Sequence, residues 1–108
     1  MTSLDTLTSI LNQKCSFMAA IQNTPQNILY VVTKENFLKC FPILKRFDLK
    51  LRFLEKRKLS LDIHISVVIQ EVFFEVTFRV VEYSPSFFQE IVKLLPNADV
   101  FIQEILRG

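Results

Sequence analysis

Few residues in this chain have the types and spacing that chemistry requires. Cys15 and Cys40 lie far apart and form no C-x-x-C pair. A zinc or iron–sulfur site needs a convergent ligand set, which two thiols and the lone His64 do not supply. The cysteines read as free buried thiols in a reducing compartment, with a disulfide as the alternative. His64 falls on the polar side of an alternating strand, where a solvated or hydrogen-bonded imidazole is the ordinary outcome. Glu71, Glu75 and Glu82 share the outward side of the same region and read as a solvated face or as partners of nearby lysines. The one glycine stands at the C-terminus, so there is no Gly-rich loop to cradle a phosphate. No nucleophile, base and acid fall together by motif. The expectation is a non-catalytic chain that holds no metal or cofactor of its own.

Charge offers one further candidate. Most of the 13 basic residues lie between Lys39 and Lys58, against Asp48 and Glu55. Lys45, Arg46, Lys50, Arg52, Lys56, Arg57 and Lys58 form a possible basic patch for nucleic acid or an acidic partner. The plainer account is a solvated helix end followed by a charged turn.

The elements that must position these residues follow from apolar periodicity. At 108 residues, half of them apolar and 11 of them Phe, the chain is one domain, 1–108, with more apolar surface than one small core hides. A partner is the expected cover for the surplus. Ser3 caps a first helix whose Leu4, Leu7, Ile10 and Leu11 recur at helical spacing. Phe17 to Ile21 reads as a strand, Gln22 to Asn27 as a turn, and Ile28 to Val32 as a central strand. Thr33 caps a second helix running to about Phe47, with a stripe of Phe37, Leu38, Phe41 and Leu44. Pro42 is expected to kink or divide it.

Leu49, Leu51 and Phe53 alternate with Lys50 and Arg52 as a half-buried strand, and Glu55 to Lys58 reads as the turn after it. From Leu61 to Ile69 the apolar residues take odd positions; from Val72 to Val80 they take even ones. One strand across both would be roughly 65–70 Å long at about 3.3 Å per residue, too long for such a domain. The change of phase therefore predicts a turn or bulge at Gln70-Glu71, with Ile65 and Phe74 on one buried face. Ser84-Pro85 starts a third helix, and Asp99 caps a short fourth. The order is roughly α-β-β-α-β-β-β-α-α: an α+β fold, a mostly antiparallel sheet with helices packed on one face. No stretch supplies the twenty or so apolar residues of a membrane span, and no charged start precedes an apolar run as in a secretory signal.

The segment Pro96-Asn-Ala-Asp-Val-Phe-Ile-Gln-Glu-Ile105 has a distinctive order of proline break, small residue, acidic cap and apolar turn. It resembles the P-S-A-[DN]-W-[YF]-E-R-E-x-x-D signature of the thirty-kilodalton subunit of respiratory complex I. Leu44-Lys45 at the end of the second helix and Val80 to Glu82 before Ser84-Pro85 extend the likeness, and the element order covers most of the chain. Val100 stands where the family has tryptophan, Gln103 where it has arginine, and the family's C-terminal extension has no counterpart. The resemblance implies a truncated, diverged, non-catalytic subunit of the peripheral arm. It would bind no flavin or cluster and would pack against the quinone-site subunit of a large hetero-oligomeric complex. Its place would be the matrix side of the mitochondrial inner membrane, touching the membrane only indirectly. The interface would use Glu82, Pro96, Asp99, Phe101, Gln103, Glu104 and Ile105. The alternatives are a cytoplasmic RNA- or ribosome-binding module built on the basic segment, and a ligand-sensing interaction domain.

On the resemblance, Glu104 aligns with the second glutamate of E-R-E and is buried against a neighbouring subunit. Removing one partner of a buried ionic contact costs roughly 3–5 kcal/mol. Glu104→Ala is thus expected to impair assembly while the isolated chain keeps its melting curve. A substituted chain that assembles normally counts against the alignment.

Overall fold

The computed structural model describes residues 3–81, 84, 86 and 87. Its elements run α1 (Leu4–Asn12), β1 (Ala19–Thr24), β2 (Asn27–Thr33), α2 (Lys34–Leu44), β3 (Asp48–Lys56), β4 (Ser60–Ile69) and β5 (Val72–Val81). They form a mixed α+β fold around one five-stranded sheet, in the order β1-β2-β5-β4-β3. Every pairing is antiparallel except that of β2 with β5. The third and fourth expected helices fall outside the described residues, apart from Ser84, Ser86 and Phe87.

Both described helices start where their caps stand. The Ser3 hydroxyl accepts from the Thr6 N–H at 3.3 Å, and the Thr33 hydroxyl accepts from the Asn36 N–H at 3.3 Å. Asp5 and Glu35 occupy the first turns, where a carboxylate favours the helix dipole. α2 is one helix through Pro42, neither divided nor extended to Phe47. Proline falls in its last turn on the exposed side, and the chain closes by tighter bonds, Arg46 N–H to Ile43 O and Phe47 N–H to Leu44 O.

One face of the sheet is dry. Tyr30 and Val32 of β2, Ile63 and Ile65 of β4, and Phe74, Val76 and Phe78 of β5 are all buried on it, beneath both helices. Ile65 and Phe74 share that face as expected, each about 1% exposed. Phe37 of α2 meets Phe78 edge-on at 5.3 Å, and Tyr30 meets Phe78 at 5.4 Å. The Tyr30 hydroxyl pairs with that of Thr8 in α1 at 2.7 Å. Burial pushes the phenol up to about 12, so it stays a neutral partner there.

Four readings of the sequence need correction. The first strand begins at Ala19 and runs to Thr24, because only Pro25 and Gln26 are needed to turn the chain; Phe17 precedes it and stacks on Tyr30 at 4.2 Å. β3 has a register shift between Leu51 and Phe53. The extra residue puts Leu54 in the core and turns Phe53 out, 47% exposed, where strict alternation would bury it. Glu55 and Lys56 belong to β3, so the turn comes later, closed by Arg57 N–H to Ser60 O at 2.8 Å. Finally, Cys15 and Cys40 form a disulfide instead of standing as free thiols. The fold brings the segment after α1 to α2 and the Cα atoms of the two cysteines to 6.0 Å, within bonding range, a proximity no spacing in the sequence reveals.

The turn between β4 and β5 is as tight as a hairpin allows. Gln70 and Glu71 have φ of 51° and 67°, the left-handed pair of a type I′ turn, without a glycine. Left-handed backbone costs a residue with a Cβ about 1–2 kcal/mol, partly offset by the chain entropy glycine would lose. Glu71→Gly is expected to stabilise the domain by roughly 0.5–1 kcal/mol. Urea denaturation should show a higher midpoint at unchanged slope; a lower midpoint would contradict this turn.

Candidate functional site

Among the described residues no helix covers the other sheet face, the open face, and its centre is polar. Register sets the grid: β4 places Asp62 opposite Arg79 and His64 opposite Thr77, while β3 places Glu55 opposite Asp62 and Phe53 opposite His64. All of these except Glu55 line a concavity of about 370 Å³, together with Arg57 and Asn27.

Asp62 is the anchor. Its carboxylate is about 1% exposed, yet both oxygens are engaged. Arg79 donates from Nε to Oδ1 and from Nη2 to Oδ2, each at 3.0 Å, and Arg57 Nε donates to Oδ2 at 2.9 Å. Burial alone would raise the Asp62 pKa. The bonds from Arg79 and Arg57 outweigh it and hold the carboxyl below the usual range. The same contact with Asp62 raises Arg79, fixing its charge. Arg57 also reaches Glu55 at 3.4 Å.

Beside the anchor runs a hydroxyl–imidazole–carboxylate row. Thr77 Oγ1 lies 2.9 Å from His64 Nδ1, and His64 Nε2 lies 3.3 Å from Glu55 Oε1. Phe53 stacks on the imidazole, centroids 4.0 Å apart and planes 17° from parallel. Such a row can polarise a hydroxyl. Thr77, however, sits in mid-strand, paired with Leu29 on one side and His64 on the other. Its backbone belongs to the ladders and offers no free N–H to an oxyanion.

Glu55, Asp62 and His64 also bring ligand atoms within 4.8 Å of one another. They fit a cation poorly, because two guanidinium groups already occupy the Asp62 oxygens and place positive charge where the ion would sit. The cluster is a pinned, charge-balanced surface.

The residues of the expected basic patch do not all share one side of the sheet, although Arg52 and Arg57 line the same concavity. Lys45, Arg46, Lys50, Arg52, Lys56 and Lys58 are all exposed, but Lys50 lies opposite Ser66 and Lys56 opposite Leu61, on opposite sides of the sheet. Arg57 is drawn into the Asp62 cluster, and Lys45 Nζ sits 5.7 Å from the Phe41 ring centre. Glu75 does face outward and accepts from Asn27 Nδ2 at 3.2 Å. Glu82, Pro96, Asp99, Phe101, Gln103, Glu104 and Ile105 lie outside the described residues. The Asp62–Arg79 pair escaped sequence reasoning, although a signal existed. Once the turn stands at Gln70-Glu71, counting back from Ile69 and Val72 puts Asp62 opposite Arg79.

No family model matches the chain, and neither does any curated protein or solved structure. Among the described residues no helix is long and apolar enough to cross a membrane.

Asp62→Ala would strand two guanidinium groups that remain partly in water, which limits the loss to about 2–3 kcal/mol. The pH dependence follows from its lowered pKa. The Asp62 contribution is complete above the unfolded carboxyl pKa and drains away as pH falls through the folded one. Urea denaturation across acid pH should therefore show a shallower acid limb for Asp62→Asn than for the parent. Identical limbs would mean the pair does not stabilise the sheet.

Proposed function

We propose that the chain is a non-catalytic structural subunit of the peripheral arm of a proton-pumping NADH:ubiquinone oxidoreductase, packing against the quinone-site subunit. One observation carries the reading beyond the motif at Pro96 to Ile105. The described elements come in the order α-β-β-α-β-β-β, the order the resemblance implies for this subunit. The open face suits such a role, with Asp62, Arg57 and Arg79 paired among themselves and with Ile21, Phe53 and Phe73 each 43–50% exposed. Surfaces of this kind favour burial against another protein. The proposed place is the matrix side of the mitochondrial inner membrane. The Cys15–Cys40 bond weighs against that place, because such compartments keep thiols reduced. Alkylation of the assembled protein reports which state holds.

Phe53 supports a second reading. It is exposed and lies between Arg52 and Arg57 in sequence, a combination that serves single-stranded RNA through stacking and phosphate contacts. One side of its ring is already taken by His64, which leaves a single stacking surface.

A tagged chain expressed in its own cells and released with mild detergent separates the two. The subunit reading expects comigration with NADH-oxidising activity in a native gel, unchanged by moderate salt. Migration as a free chain, or RNA-dependent migration lost as salt rises, rejects it.

A further inference from the structure

Resting on the subunit reading, we propose that the edge of β1, unpaired among the described residues, receives an added strand, an extended and uncharged segment of a neighbouring subunit. A sheet has two edges, and each leaves alternate N–H and C=O groups pointing outward. Only another extended backbone matches that row group for group. Natural edges are ordinarily guarded by charge, proline or a bulge.

The two edges here differ sharply. β3 carries Asp48, Lys50, Arg52, Glu55 and Lys56 and is shifted in register between Leu51 and Phe53. It is well defended. β1 reads Ala-Ala-Ile-Gln-Asn-Thr, has no charged residue, and is exposed at every position. Among the described residues β2 is its sole partner strand. The irregularity between Gln22 and Thr24 lies next to the hairpin turn and leaves Ala19 to Gln22 in regular pairing. Ala19 and Ala20 have almost no side chain to hinder an approaching backbone.

The flanking surface describes the occupant. Ile21 pairs with Leu29, and Ala19 with Val31, so these four share the open face. Ile21 is 50% exposed and Met18, just before the strand, 65%. A strand laid along β1 would therefore meet an apolar strip on that side, where a charge would be desolvated without a partner.

Area decides against a second copy of this chain. Six residues span about 20 Å, and a sheet edge is roughly 10 Å deep, which gives about 200 Å² on each partner. A stable interface needs about 800 Å² a side. A segment of another subunit can add to that area by continuing over the open face, which the β1 of a second copy, turned back at Pro25-Gln26, does not do.

The test places a photo-crosslinking benzoyl-phenylalanine at Ile21 or at Lys50 of the full chain, in its own cells, and identifies adducts by mass spectrometry. The expected result is an adduct from Ile21 to an extended, uncharged segment of another subunit, and none from Lys50. Ala20→Lys and Ile21→Lys should each lose the chain from the assembly while its isolated melting curve is kept. If one of them unfolds the chain, the other is read. An adduct to a second copy of this chain or to a helix, adducts from Lys50 alone, or no Ile21 adduct within the assembly overturns the strand site and leaves the subunit reading intact. A chain that migrates alone removes the subunit reading, and the partner strand with it.

Discussion

Phe78 stands at the point where the layers of this domain meet. Its ring contacts Tyr30 of β2 and Phe37 of α2, and Phe37 in turn meets Phe41 and Phe87. Tyr30 carries the contact onward to Phe17 by stacking and to Thr8 of α1 by its hydroxyl. The sheet face is thus packed by rings that stack or tilt around Tyr30 and meet edge-on around Phe37, an arrangement with little tolerance for displacement. Where the helices sit follows from this aromatic contact. The disulfide between Cys15 and Cys40 ties the chain just beyond α1 to α2 over the same core.

The open face obeys a different constraint. Among the described residues no helix lies above Asp62; the sheet itself and the side chains of Arg57 and Arg79 cover it. A carboxylate in that position is tolerable only while both guanidinium groups stay in place. Glu55, His64 and Thr77 are then locked in sequence beside it. The face is hydrogen-bonded across its polar centre and apolar toward β1.

Much of the fold was legible because apolar alternation survives in the letters. The change from odd to even positions around Gln70 located the hairpin even though no glycine marks it. Ser3 and Thr33 announced both helix starts. Features that depend on local slippage or on distant contact were not legible. Nothing in Leu-Arg-Phe-Leu distinguishes a shifted strand from a regular one, so Phe53 read as core. The Cys15–Cys40 bond depends on how the segment after α1 meets α2, and the Asp62 cluster on register carried across two strands. The Pro96 to Ile105 motif, on which the family resemblance chiefly rests, lies outside the described residues, so the candidate site and the motif are separate arguments.

The parallel pairing of β2 with β5 has a consequence for how the chain is assembled in time. It joins Asn27 to Glu75, whereas β1–β2 and β4–β5 are closed by turns of two residues. Local closures cost little entropy; this one must be made after α2, β3 and β4 have been laid out between. The sheet is in this sense a hairpin and a three-stranded meander zipped along a late seam, with Tyr30 and Phe78 facing each other across it. A chain emerging slowly from its ribosome would hold β1 and β2 as a lone hairpin until β5 arrives. During that interval both of its long sides, not β1 alone, are open to other strands.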